Sequence, residues 1–227
     1  MMAKYLNHLV EVPFEYRHCC WFCGEPAAKL FTFPHQQYLV IDCCHPAVTL
    51  PACQECQLFA YQVQAESIRQ VARQVKKLLI KKYRTHLAIG LNWTQAELAN
   101  SEFEGGNFEG FKRSAWFMYE VAKMRVNFKG WPLVLSGLYI EAVDEKEAFI
   151  FDGVSYPSVD EAIEQYTKNF DLPRGYLKQT LHSLGIEQFS KAVRFCRLMV
   201  GSTPAERNQA LRELVFTDEV IRSFNQT

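Results

Sequence analysis

Two pairs of cysteines in the first quarter of the chain constrain its fold more than any other feature. Cys20 and Cys23 form one C-x-x-C unit, and Cys53 and Cys56 form a second. Together they supply four thiolates for the tetrahedral coordination that a structural Zn²⁺ ion prefers. A thioredoxin-like redox site would need only one such unit, so the pairing favours metal. The sequence therefore predicts one structural zinc ion held by all four cysteines.

The bulk composition is that of an ordinary folded protein with balanced charge. The 227 residues are enough for one large domain or two small ones. Lysine plus arginine equals aspartate plus glutamate, which argues against a wholly basic nucleic-acid binder but leaves local patches open. Residues 1–17 lack the apolar segment of a secretory signal, and no run reaches the length of a membrane helix. We expect a cytoplasmic protein that does not enter a membrane and whose cysteines bind metal rather than form disulfides.

The elements around the cysteines follow a recognisable order. Gly24 supplies the positive φ that a turn after the first pair requires. The β-rich runs 30–33 and 38–41 predict a hairpin. The second pair opens a helix, whose positive N-terminal end would then face the thiolates. A treble-clef zinc finger has this order of elements: a turn that carries the first cysteine pair, a hairpin, and a helix that carries the second pair.

Residues 17–60 resemble the zinc-bearing form of the HNH endonuclease domain, in which an Asp-His-x-x-Pro segment and an Asn-Leu pair lie between two C-x-x-C units. Beyond the cysteines, the matching positions are Asp42, Pro46 and Leu50. Cys43 occupies the place of the general-base histidine, and Gln57 replaces the asparagine that follows the last cysteine. The resemblance therefore implies the scaffold of this family without its nuclease chemistry.

Residues 58–83 contain no glycine or proline and predict one long helix with a basic face. Its apolar stripe consists of Ile68, Val71, Val75, Leu78 and Leu79. A basic face beside a zinc finger is suited to phosphate contacts. The alternative is a solvated face whose long side chains cover apolar surface. The nucleic-acid-binding residues predicted on this helix are Arg69, Arg73, Lys76, Lys77 and Lys81.

A second amphipathic helix is predicted over residues 111–126, after a glycine-rich loop. The residues predicted on its core-facing side are Phe111, Ala115, Met118, Ala122 and Val126. The aromatic residues of this segment are interpreted as core rather than as a ligand site, because large apolar side chains are usually buried.

The carboxy-terminal part begins with predicted strands over residues 133–140 and 148–151. Residues 149–162 resemble the opening of the modular DNA-binding repeats attached to homing endonucleases, with a strand, a glycine turn, an aromatic residue, a serine and an alanine-containing helix. A second helix, from Pro173 to near Gly185, completes a helix-turn-helix candidate. Its outward side chains suited to phosphates and base edges are Arg174, Lys178 and Gln179. A simple packing pair of helices is the alternative.

The predicted fold is α+β and mainly helical, in three parts. These are a treble-clef domain over residues 1–60, a helical segment with the basic helix and the glycine-rich loop over 61–132, and a β-hairpin with a helix-turn-helix-like bundle over 133–227.

Three functions fit this organisation. The first is a zinc protein that contacts nucleic acid, DNA rather than RNA. It is expected to be non-catalytic, because four thiolates leave the metal no open coordination position. The second is a divergent HNH-like nuclease that uses Asp42 and His45 with a second metal. The third is a zinc-stabilised module that binds a protein partner, which the neutral net charge favours.

Overall fold

A computed structural model gives the fold as α+β and mostly helical, with small antiparallel hairpins. The residues that the structure describes are 9–35, 43, 45–101, 106–140, 149–173 and 175–224, with the backbone alone for 106–109 and 218–224. The coarse fold class is therefore confirmed. The chain divides into two compact units, Met1–Ser158 and Val159–Thr227, whereas the sequence predicts boundaries near residues 60 and 132.

The first unit opens with a tight turn around the first cysteine pair. The backbone N–H of Cys20 donates to the carbonyl of Glu25 over 2.7 Å, and the N–H of Gly24 donates to the carbonyl of Cys20 over 2.8 Å. Gly24 has φ of 76°, so the predicted positive φ is confirmed. An isolated antiparallel bridge between Cys19 and Pro26 closes the turn.

The adjoining hairpin pairs β1, Lys29–Phe33, with β2, Val48–Ala52, in antiparallel register. All of β2 is buried. On its other side, Val10 N–H donates to the Thr49 carbonyl and Trp21 N–H donates to the Pro51 carbonyl, each over 3.0 Å. The strand predicted at 38–41 lies outside the described residues, and the partner that the structure shows for β1 is β2.

The basic segment forms two helices, α1 over Gln54–Tyr61 and α2 over Ile68–Lys82. The prediction of one continuous helix is wrong. The Ser67 hydroxyl accepts a hydrogen bond from Gln70 N–H over 3.2 Å, and His45 Nε2 accepts one from Ile68 N–H over 2.8 Å. Because these side chains satisfy the first N–H groups of α2, a new helix begins there without glycine or proline.

Three further α-helices lie in the described part of this unit: α3, Arg84–Asn92; α4, Gln95–Ala99; and α5, Gly106–Asn127. The side of α5 that is buried carries Lys112, Tyr119, Ala122, Arg125 and Val126. Phe111 is 66% exposed, so its predicted inward position is wrong. The Lys112 ammonium turns inward instead and donates to the carbonyls of Ala99 and Ser101, over 3.2 and 2.9 Å, at the end of α4.

Two short hairpins follow. Strand β3, Val134–Leu135, pairs with β4, Leu138–Tyr139, and β5, Phe149–Phe151, pairs with β6, Val154–Tyr156. Both residues of the Ser136-Gly137 and Asp152-Gly153 turns have positive φ, as two-residue hairpin loops of type I′ require. Residues 133–140, predicted as one strand, therefore form a hairpin of their own.

The second unit contains α6, Val159–Asn169; α7, Tyr176–Leu184; α8, Phe189–Leu198; and α9, Pro204–Phe224. Leu177, Leu181 and Leu184 are buried and Lys178 and Gln179 are exposed, which confirms the predicted faces of α7. This helix begins at Tyr176 rather than at the proline, because the preceding Gly175 adopts φ of 74°. The helix-turn-helix interpretation stays a prediction.

Gly90 and Gly110 form a matched pair for testing how α3 packs on α5. A Cβ at Gly90 would lie 2.2 Å from ring atoms of the buried Tyr119, whereas one at Gly110 meets no atom within 4 Å. We expect Gly90→Ala to lower the free energy of unfolding by about 1–3 kcal/mol through overpacking. Gly110→Ala should raise it by about 0.5–1 kcal/mol. Urea denaturation of both variants checks this, and equal effects would contradict the packing described.

Candidate metal centre

The four predicted ligands meet at one point in the first unit. The Sγ atoms of Cys20, Cys23, Cys53 and Cys56 all lie within 4.8 Å of one another, and those of Cys23 and Cys53 are 3.8 Å apart. A tetrahedral site with Zn–S bonds of about 2.3 Å places neighbouring sulfur atoms roughly 3.8 Å apart. The four cysteines are therefore close enough to hold one metal ion.

Local structure brings the ligands together from both sides. Cys20 and Cys23 lie on the turn, which is joined to β2 through Trp21 N–H. Cys53 is the N-cap of α1, and its Sγ accepts the N–H of Cys56 over 3.4 Å. The prediction that the second pair opens a helix is confirmed. A thiolate at this position is favoured by the positive end of the helix dipole.

The four thiols shift one another's pKa values in opposite directions. Hydrogen bonds from Cys20 and other members of the cluster hold the pKa of Cys53 below its usual range and lower that of Cys23 to about 7. Hydrogen bonds to the neighbouring sulfur atoms raise the pKa values of Cys20 and Cys56, and burial raises them further. Four thiolates this close repel one another strongly, so full deprotonation requires a cation among them.

Arg125 of α5 lies against this cluster, a position that is not predicted from the sequence. It is 7% exposed, and its Nη2 donates to the Cys23 Sγ over 3.6 Å. The same guanidinium forms a salt bridge with Glu55 and donates to the hydroxyl of Tyr83. Burial opposes its charge, yet Cys23 and Glu55 hold the pKa of Arg125 above its usual range. The group is therefore a buried, permanently charged cation.

Glu55, which lies between the two cysteines of the second pair in sequence, has three hydrogen-bond or salt-bridge partners. It accepts hydrogen bonds from the Tyr83 hydroxyl and forms salt bridges with Arg125 and Lys82. Burial raises the pKa of Glu55, but the hydrogen bonds from Lys82 and Arg125 outweigh it and leave the pKa below its usual value. Burial and the hydrogen bond to Glu55 raise the pKa of Tyr83 to about 12.

The sequence predicts a phosphate contact for Lys76, but its ammonium points inward. It donates to the backbone carbonyl of Arg125 over 2.8 Å, in the last turn of α5. Burial lowers the pKa of Lys76 to about 8. Negative charge on Cys23, Cys56 and Cys20 acts in the opposite direction and raises it in part. This arrangement does not fit a phosphate contact, because the ammonium already donates to a backbone carbonyl inside the protein.

The other predicted nucleic-acid residues of α2 divide into two groups. The Arg69 guanidinium lies 5.5 Å from the centroid of a Trp21 ring, in a cation–π contact inside the unit. Arg73 and Lys77 are half-buried and Lys81 is exposed. Arg73, Lys77 and Lys81 therefore keep at least part of the solvent exposure that the sequence predicts.

In the second unit, one residue that the sequence predicts as a nucleic-acid contact on α7, Lys178, is exposed but already paired with a carboxylate. The Lys178 Nζ forms a salt bridge with Asp160 Oδ1 over 2.8 Å, and both side chains are exposed. Gln179 is exposed. Arg174 lies outside the described residues.

His45, the proposed substitute for the missing catalytic histidine, has both ring nitrogens engaged. Its Nδ1 donates to the Pro46 carbonyl and its Nε2 accepts the Ile68 N–H, each over 2.8 Å. Burial lowers the pKa of His45, although the bond to Pro46 raises it in part. A neutral imidazole fixed in this way has no nitrogen left to abstract a proton from water. Asp42 lies outside the described residues.

The functional residues that sequence reasoning missed are Arg125 and Glu55. A cation within the buried side of α5 is a usable signal, because a charged residue on an apolar helix face requires a partner. Glu55 carries no signal of its own, since an acidic residue in a first helical turn is common.

No protein-family model, curated protein or solved structure matches this chain. Among the residues described, no helix is both long and apolar enough to cross a membrane. The resemblance to HNH domains therefore stays a prediction that depends on the motif and on the site itself.

The role of His45 at the start of α2 predicts a pH-dependent stability. Its folded pKa lies below the unfolded value of about 6.5, so the stabilisation is complete above that value and is lost as the pH falls below it. His45→Gln keeps an acceptor but does not titrate. We therefore expect its stability to fall less than that of the wild type between pH 7 and pH 5.

Urea denaturation across this range measures the difference, and parallel curves would contradict the assigned role. His45→Ala, which leaves the Ile68 N–H without its acceptor, should lose about 1–2 kcal/mol at neutral pH.

Proposed function

We propose that this protein is a structural zinc protein, in which one Zn²⁺ ion bound by Cys20, Cys23, Cys53 and Cys56 fixes a non-catalytic binding module. The observation that carries the proposal is the convergence of four sulfur atoms within 4.8 Å. Three of these cysteines are buried and the fourth is half-buried. A site closed by four protein ligands leaves no position for a water or a substrate, so metal-activated hydrolysis is not expected there.

The chemistry of the ligands favours zinc among the biological metals. Thiolates are soft donors that bind Zn²⁺ or iron and reject Mg²⁺ and Ca²⁺, which prefer oxygen. Zn²⁺ has no redox chemistry, and the tetrahedral arrangement imposes no strain on it. Metal analysis distinguishes zinc from iron directly.

We further propose that residues 17–60 form a treble-clef scaffold of the HNH type that lacks nuclease chemistry. Its support is the order of the cysteine turn, the β1–β2 hairpin and α1, together with the placement of the last two cysteines at the start of the helix. Cys43, at the position of the general base, donates its S–H to the His45 carbonyl over 3.0 Å. With His45 also engaged through both nitrogens, no base is available from these two side chains.

Cys19 and Cys20 are neighbours in sequence and provide a matched test of the zinc site. We expect the wild type and Cys19→Ser to purify with one zinc per chain, and Cys20→Ser to lose it. Because the ion links the turn to α1, Cys20→Ser should also lose several kcal/mol of stability. Elemental analysis with thermal unfolding, before and after chelation, measures both effects. A wild type without stoichiometric metal would overturn the proposal.

A nucleic-acid contact through α2 is the second part of the proposed function. Arg73, Lys77 and Lys81 follow one another at four-residue spacing, retain solvent exposure, and belong to a helix that contains no acidic residue. Such a strip can lie along a phosphate backbone. Double-stranded DNA is the expected partner, and a protein surface is the alternative.

The salt dependence of DNA binding tests this strip. Removing one cation that neutralises a phosphate should reduce the slope of log affinity against log salt by about 0.9. Replacing Arg73, Lys77 and Lys81 together by glutamine should therefore weaken binding to a DNA duplex and flatten its salt dependence. The control replaces Arg113 and Lys129, which are exposed elsewhere in the first unit. Binding that is absent, or equal in both variants, would leave the protein-partner alternative in its place.

A further inference from the structure

One cation from outside the cysteine turn contacts the cluster of sulfur atoms, and a second cation contacts the backbone of the same residue. The Arg125 guanidinium donates to the Cys23 Sγ over 3.6 Å. The Lys76 ammonium donates to the carbonyl of Arg125 over 2.8 Å, and the charges of three of the cysteines act on it. One cation comes from α5 and the other from α2, so both helices contribute charge to the same site.

The charges of the two groups are complementary. A Zn²⁺ ion with four thiolates carries two net negative charges, which are costly to bury without compensation. Arg125 and Lys76 together carry two positive charges. Glu55 forms salt bridges with both Arg125 and Lys82, and the positive charge of Lys82 offsets the negative charge of Glu55, which leaves this balance unchanged.

Arg125 also joins the two halves of the ligand set. It contacts Cys23 of the first pair and forms a salt bridge with Glu55, which lies within the second pair. Tyr83 fixes the position of the guanidinium in two ways. Its ring centroid lies 4.8 Å from the guanidinium carbon, and its hydroxyl accepts a hydrogen bond from the guanidinium. A guanidinium held by a carboxylate, a hydroxyl and an aromatic face has little freedom to leave the sulfur.

We propose that Arg125 is a positioning residue of the metal centre, an inference that rests on the proposed zinc site. Together with Lys76 it balances the tetrathiolate charge, and its hydrogen bond makes the Cys23 thiolate less basic. The sulfur is then protonated less readily, which slows the loss of the metal. A hydrogen bond to a coordinating thiolate lowers its basicity and its reactivity towards electrophiles. Metal retention then depends on the packing of α5 and α2 against the cysteine turn.

Arg125→Gln is the direct test, with Arg113→Gln as the matched control, because Arg113 is an exposed arginine of the same helix. Zinc release from each purified protein is followed with a chromogenic chelator. The wild type and both variants should contain one zinc per chain. We expect Arg125→Gln to release it about 10–100-fold faster, the range by which loss of an outer-shell partner weakens metal affinity. Arg125→Lys should restore part of the retention, and Arg113→Gln should match the wild type.

A spectroscopic readout separates the charge effect from general loosening of the fold. In the Co²⁺-substituted protein, the thiolate-to-cobalt charge-transfer band should move to lower energy in Arg125→Gln, because a thiolate without its hydrogen bond is a better electron donor. An unchanged band and an unchanged release rate in a zinc-loaded Arg125→Gln would overturn the inference while leaving the proposed zinc site intact. A wild type that contains no zinc would overturn both.

If Arg125→Gln does not fold, Lys76→Met tests the same charge balance, since methionine keeps most of the apolar stem. Its control is Lys77→Met at the adjacent, half-buried position. Faster zinc release from the Lys76 variant alone supports the inference. Equal release from both variants overturns it.

Discussion

The electrostatics of the four clustered sulfur atoms determine much of the first unit. Thiolates within 4.8 Å of one another cannot all be charged in a protein interior unless cations surround them or lie between them. A metal ion bound there would supply part of the positive charge. Arg125, which donates to the Cys23 sulfur, supplies more, and Lys76 contacts the backbone of Arg125. Helices that are distant in sequence are thus joined to the cysteine turn by charge as well as by apolar packing.

The inward-facing sides of two helices carry cations, each with partners of its own. On α5, Lys112 caps the carbonyl end of α4 and Arg125 reaches a sulfur atom, so both lie inward while Phe111 faces solvent. On α2, Lys76 caps the carbonyl end of α5. Each buried charge has named partners, which is the condition under which burial of a charge is tolerated.

The residues that most resemble those of an enzyme have local structural tasks. His45 gives the first N–H of α2 an acceptor and thereby helps to start that helix where the sequence predicts continuity. Cys43 donates to the His45 carbonyl next to it. A segment with the outline of a nuclease motif is therefore consistent with a scaffold whose polar groups are used for folding.

Features that depend on neighbouring residues could be predicted from the amino-acid sequence. Examples are the positive φ of Gly24, the start of α1 at Cys53 and the leucine face of α7. Turn chemistry, helix capping and short apolar periods act over a few residues, so they are visible in the chain itself.

The direction of the charged side chains, by contrast, depends on tertiary packing. At the break before Ile68, the first N–H of α2 finds its acceptor on His45, from an earlier segment. The ammonium of Lys76 finds its acceptor at the end of α5. Arg125 lies more than a hundred residues from Cys23 in sequence, so no local pattern connects them. Contacts of this range depend on how the helices pack, and periodicity along a single helix cannot distinguish a cation in solvent from one that balances a buried site.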